Sequence, residues 1–97
     1  MFFSQGTWTV KAGQEEEFVE VWTEFAEWSK AELGMTRGTL LRDLDQPTRF
    51  ISWGGWKNVQ EIQEWRALPG FQERVVRVSS LVESFEAHTM QLTASSD

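Results

Sequence analysis

"RFISWGGWKNVQEIQEWRALPGF", residues 49–71, decides the fold of this 97-residue chain. Its opening, through Trp56, reads as a strand rich in β-branched and aromatic residues. Asn58 with Glu61 three residues on resembles a capping box, and Val59, Ile62 and Trp65 then recur at helical spacing. Pro69-Gly70 interrupts that helix. The segment holds Trp53, Trp56 and Trp65, three of the chain's six tryptophans. Indoles concentrated where a strand enters a helix either fill a core or line a cavity for a flat ligand.

Upstream, "MTRGTLLRDL" and "TRFISWGGW" are two strands joined by a turn at "DQP", with Asp45 and Pro47. Before them, Phe2–Lys11 reads as a strand with Phe2, Trp8 and Val10 on one parity and Ser4 and Gly6 in the gap. "EEEFVEVWTEFAEWSKAEL" places Phe18, Val21, Trp22, Phe25, Ser29 and Leu33 along one helical stripe, with Trp28 at its flank. Glu15, Glu16 and Glu17 suit the dipole of the first turn and point around the helix rather than at one metal. Gly34 ends it. Downstream of Pro69 a second helical piece carries Phe71, Val75, Val78 and Val82 on one face. "ESFEAHTMQLT" closes as a strand, and 94–97 is a tail.

The order β-α-β-β-α-β, with the second helix broken, is the ferredoxin-like α+β arrangement: two helices on one face of a four-stranded antiparallel sheet. The strands carry apolar groups on both parities, so the face without helices needs a cover. A second copy through a two-fold interface supplies one, and a homodimer is expected. The chain reads as one domain over 1–97, ordered through 93.

Composition narrows the chemistry. A formal net charge of −6, with scattered Lys and Arg, argues against nucleic acid. No cysteine is present, so thiolate catalysis, disulfides and Cys-based metal sites are excluded. His88 is the single histidine, which leaves no His-rich metal site within one chain. No apolar run is long enough to span a membrane and no signal-peptide pattern opens the chain, so a cytoplasmic protein is expected.

The segment W56-x8-W65-R66-x2-P69-x-F71, with the helix start "AGQEEEF" and "GMTRGTLLRD", resembles the antibiotic biosynthesis monooxygenase (ABM) domain family over about Phe2 to Leu92. The resemblance implies a dimeric α+β barrel with a pocket between sheet and helices in each protomer. Its branches oxidise phenols or anthrones with dioxygen and no cofactor, degrade haem, or oxidise quinols. For the haem branch the resemblance places the helix Trp at Trp65, the iron-ligating His at Val75 and the strand Asn near Gly6. Two of the three are missing, so no cofactor is expected, and haem is disfavoured.

The leading expectation is therefore a cofactor-independent monooxygenase acting on a small aromatic or polycyclic substrate with dioxygen. Trp65 and Trp53 would sandwich the rings, with Trp56 mainly structural. His88 would serve as general base or Arg66 would hold an enolate. Asn58 is a polar candidate that equally reads as a helix cap, and Arg66 equally reads as a surface ion-pair partner. The competing expectation is a non-catalytic dimeric ligand-binding or stress-related module. His88 separates the two: facing solvent or an interface, it cannot serve the pocket.

Overall fold

The computed structural model describes residues 1–96. The element order is β1 (Phe2–Val10), α1 (Glu15–Leu33), β2 (Gly38–Arg42), β3 (Arg49–Trp56), α2 (Val59–Arg66), α3 (Phe71–Ser79) and β4 (Val82–Gln91). The four strands form one sheet in the order β2-β3-β1-β4, every neighbouring pair antiparallel. This is the ferredoxin-like arrangement expected from the sequence, with its second helix divided at Pro69. Among the described residues no helix is long and apolar enough to cross a membrane. Asp97, the last residue of the expected tail, lies outside the described residues; residues 92–96 have no regular structure.

Local chemistry accounts for the boundaries. Gly34 caps α1 in the left-handed region at φ 74°, where a Cβ would be strained. Asn58 Oδ1 accepts the Glu61 amide at 2.9 Å and starts α2. Two elements differ from the sequence expectation. The strand expected from Met35 begins only at Gly38; Met35 instead folds inward and is buried. Val82, expected on the last helix, is the first residue of β4, because α3 stops at Ser79. Val82 still reaches the core, since a register shift between Thr9 and Val10 pairs it with Val10.

Strand register assigns every side chain to a face. The pairs Phe2↔Trp56, Ser4↔Gly54, Gly6↔Ser52 and Trp8↔Phe50 share the helix-covered face of β1 and β3. Phe85, Ala87 and Thr89 of β4 join them. Phe3, Gln5, Ile51, Trp53, Leu41, Glu86, His88 and Met90 fall on the other face, which no helix covers. The register through Gly54-Gly55 is continuous, so no bulge exchanges Trp53 and Trp56. The core lies between the first face and the helices: Trp8, Val10, Phe18, Phe50, Trp56, Ile62 and Val78 are all nearly inaccessible.

The β2–β3 turn is organised by Asp43. Its carboxylate accepts the amides of Asp45 at 2.8 Å and Gln46 at 3.2 Å, and Arg49 donates to it at 3.1 Å. The Asp45 amide foremost, with the Gln46 amide and Arg49 adding, holds the Asp43 carboxyl below its ordinary value of 3.8. A depressed carboxylate stabilises the fold above its unfolded pKa, and that contribution is lost as pH falls through the folded one. The Asp45 and Gln46 amide resonances should therefore move together on acidification below the ordinary Asp value. Asp43→Asn should abolish that transition in an NMR pH titration while leaving the other hairpin resonances in place.

Candidate functional site

A cavity of about 190 Å³ lies between the sheet and the three helices. Helix α1 contributes Trp22, Phe25 and Ser29, α2 contributes Trp65 and Arg66, and α3 contributes Phe71 and Val75. Ser4, Gly6, Ser52 and Gly54 form its floor on β1 and β3, and Phe85 and Ala87 close the β4 side. The wall is predominantly aromatic. Trp65 stacks against Phe25 at 5.6 Å and meets Phe71 edge-on at 4.8 Å, while Trp8 stacks on Phe85 at 4.0 Å.

Three indoles at or just behind this wall, Trp65, Trp8 and Trp56, have their N–H bonded to a serine. Trp65 Nε1 donates to Ser29 Oγ at 2.8 Å, and Ser29 in turn donates to the Phe25 carbonyl at 2.8 Å. Trp8 Nε1 donates to Ser52 Oγ at 2.9 Å and Trp56 Nε1 to Ser4 Oγ at 3.0 Å. The last two bonds are reciprocal across β1 and β3. They arise from a repeated pattern, Ser4-x-Gly6-x-Trp8 and Ser52-x-Gly54-x-Trp56, laid antiparallel. The glycines make room: a Cβ at Gly6 would lie 2.8 Å from Trp8 Nε1, and one at Gly54 would run into Met35 Sδ. This S-x-G-x-W repeat was present in the sequence as a signal, but serines read as gap-fillers do not announce a cavity floor.

The residues expected at a site separate into two groups. Trp65 and Arg66 come together at the cavity. Trp65 is largely buried, and Arg66, exposed, marks the mouth, where its Nη1 donates to Thr89 Oγ1 at 3.3 Å. Trp56, a candidate ring-binding residue in the sequence, is fully buried behind the wall, packed 5.1 Å from Trp65, and does not border the cavity. Trp53 borders the cavity and also a groove on the opposite face, where register directs its side chain. Asn58 is exposed at the α2 N-terminus and lines no part of the cavity. His88 stands on the uncovered face opposite Gln5, its side chain 54% exposed and 3.8 Å from Glu86. The sheet itself separates His88 from Trp65 and Arg66.

Val75, where the resemblance would place an iron-ligating histidine, does line the cavity and offers no ligand atom. The volume only modestly exceeds the roughly 150 Å³ of an engineered cavity that takes up a single benzene. Among the described residues no cluster of three or more His, Cys, Asp or Glu could hold a metal.

These features define a class: a ferredoxin-like α+β domain with an aromatic, hydroxyl-floored cavity under its helices. The sequence matches the family described as "Antibiotic biosynthesis monooxygenase" over residues 1–76, and the chain belongs to that family. SnoaB, described as a cofactor-independent oxygenase from Streptomyces nogalater, superposes with a TM-score of 0.87 at 22% identity, covering 97% of this chain and 94% of that one. A single-residue variant of SnoaB gives 0.88 at 21%, with the same coverage. A conserved protein from Methanosarcina mazei Go1 gives 0.83 at 16%, covering 95% and 92%. At such identities these likenesses establish the shared fold. No curated protein matches the sequence.

Ser29→Ala tests the wall. It leaves the Trp65 N–H buried without an acceptor, which costs about 1–3 kcal/mol. Chemical denaturation should report that loss, whereas Thr23→Ala, an exposed helix residue on the same element, should change stability by less than about 0.5 kcal/mol.

Proposed function

We propose that this chain is a cofactor-independent monooxygenase of the antibiotic-biosynthesis type, oxidising a small aromatic substrate with dioxygen. The observation that carries this reading is the aromatic cavity, polar only at its serine floor and its arginine mouth. Family membership supports it, as does the description of SnoaB as cofactor-independent.

In this reading Trp65 provides the face on which a substrate ring lies, clamped by its bond to Ser29. Arg66 at the mouth favours the anionic form of a phenol or activated ring ketone, since a nearby cation stabilises the deprotonated state. The resulting carbanion is the electron donor. It adds dioxygen at carbon; the peroxide O–O bond then breaks as a second C–H electron pair forms the C=O bond. One oxygen atom stays as the new carbonyl and the other leaves as water. No carboxylate or imidazole lines the cavity, so the proton leaves to solvent through the mouth.

A second reading, a non-catalytic dimeric ligand-binding module, is favoured by that same lack of a base in the cavity lining. Oxygen consumption with an anthrone and with a naphthol separates the two. Turnover that Trp65→Ala reduces at least tenfold supports the enzyme; saturable binding of both compounds without oxygen uptake supports the module. For the enzyme, the pH–rate profile should follow each substrate's own ionisation, shifting from one substrate to the other, and His88→Gln should leave it unchanged. Hemin titration should show no saturable one-per-chain Soret change.

We also propose that the uncovered sheet face pairs two copies. Phe3, Leu41, Ile51, Trp53 and Met90 make that face apolar, and Leu41 and Met90 are about half exposed in the single chain. Sedimentation should give a dimer mass, and Leu41→Glu, on that face and away from the cavity, should yield monomer with the cavity intact.

A further inference from the structure

We infer that Ser4 and Ser52 form a two-donor oxygen subsite at the cavity floor, taking a neutral carbonyl or phenol oxygen of a one- or two-ring aromatic. The inference rests on the cavity being the ligand site and says which end of the ligand goes in first.

Both hydroxyls are already used as acceptors, Ser52 by the Trp8 indole and Ser4 by the Trp56 indole. A serine hydroxyl also has one proton to give. Among the described residues neither Ser4 Oγ nor Ser52 Oγ donates to an acceptor, whereas Ser29, the third indole partner, donates to the Phe25 carbonyl. Two hydroxyl protons therefore remain at the floor of an otherwise apolar chamber, and Ser52 is only 6% exposed. Buried donors of this kind find partners, from protein, water or ligand.

The serines sit on the same face of adjacent strands, on alternate cross-strand pairs with Gln5↔Trp53 between them, each opposite a glycine: Ser4↔Gly54 and Ser52↔Gly6. The space over each glycine is taken by protein, Trp8 and Phe85 over Gly6 and Met35 over Gly54, so a ring edge reaches the hydroxyls through the part of the cavity that Ser4 and Ser52 themselves line. Each hydroxyl is strengthened as a donor by the indole bond it receives, because an O–H whose oxygen accepts a hydrogen bond is polarised. No charged side chain borders the floor; Arg66 is exposed at the mouth. Neutral, polarised donors in an apolar chamber suit a ring oxygen rather than a carboxylate, which would lose its solvation for two neutral bonds. About 190 Å³ accommodates one or two rings, given that roughly 150 Å³ holds benzene.

The test uses 1-tetralone and tetralin, the same two-ring skeleton with and without the ring oxygen. Calorimetric titration of the full chain should show 1-tetralone binding at least tenfold more tightly. Infrared difference spectra should show its carbonyl stretch at lower wavenumber than in an alkane solvent. The double variant Ser4→Ala/Ser52→Ala should weaken 1-tetralone by about five- to tenfold per hydroxyl. It should leave tetralin unchanged and return the carbonyl stretch toward its alkane position. Equal binding of the two compounds to the unmodified protein, with an unshifted carbonyl, would overturn the oxygen subsite and leave the cavity as a ligand site. So would a folded double variant that binds 1-tetralone as the parent does. Binding of neither compound would overturn the subsite and the cavity reading together. If the double variant does not fold, the two-compound comparison and the spectrum of the unmodified protein decide the matter alone.

Discussion

A buried indole needs an acceptor for its N–H, and meeting that need for Trp8, Trp56 and Trp65 organises this molecule. Leaving one such donor buried and unpaired costs about 1–3 kcal/mol, a sizeable part of the stability of a domain this small. Three serines meet the need. Ser29 on α1 receives Trp65 from α2 and so fixes the distance between those helices. Ser52 and Ser4 receive Trp8 and Trp56 and tie β1 to β3 twice over. The cavity walls are thereby set by hydrogen bonds with direction, whereas apolar packing alone would let the aromatic rings slide inward and fill the space.

The remaining architecture follows from where those bonds put the rings. With Trp65 held, Phe25 stacks on it and Phe71 meets it edge-on, and Pro69-Gly70 lets the chain break between α2 and α3 so that Phe71 can turn inward. With Trp8 leaning over Gly6, Phe85 covers its outer face. Met35 leaves the strand expected of it because Gly54 offers its sulfur a place above the sheet. The result is a chamber whose polarity is confined to two ends, hydroxyls below and one guanidinium above. Such a chamber orients a ligand by its polar edge and holds it by its ring faces, the arrangement expected of a small-molecule site.

The two faces of the sheet have divided the aromatic and titratable residues between them. Phe3, Trp53, His88 and Met90 lie where no helix reaches, and Trp8, Trp56 and Phe85 lie under the helices. The division explains why the one histidine has no part in the cavity: His88 differs in parity from Phe85 and Ala87, which line it. Reading His88 as a base depended on its parity, and a strand with apolar groups on both sides, such as "ESFEAHTMQL", does not reveal which parity faces the helices. Trp53 and Trp56 posed the same ambiguity until the unbroken register through Gly54-Gly55 resolved it.

The sequence by itself determined the element order, the break at Pro69, the α1 stripe, the Gly34 stop and the Asn58 cap, because each depends on spacing within a few residues of chain. It also determined the family, through the Trp-Arg-x2-Pro segment and the hairpin before it. Trp65 and Arg66 were singled out from the sequence, and both border the cavity, since a helix carries them at fixed angles. Only the tertiary structure decided that Ser4 and Ser52 are partners of Trp56 and Trp8, bonds that span 52 and 44 positions. It alone set His88 apart and folded Met35 inward. Those outcomes depend on strand register and on which sheet face the helices cover, and both are set by contacts between segments far apart in the chain.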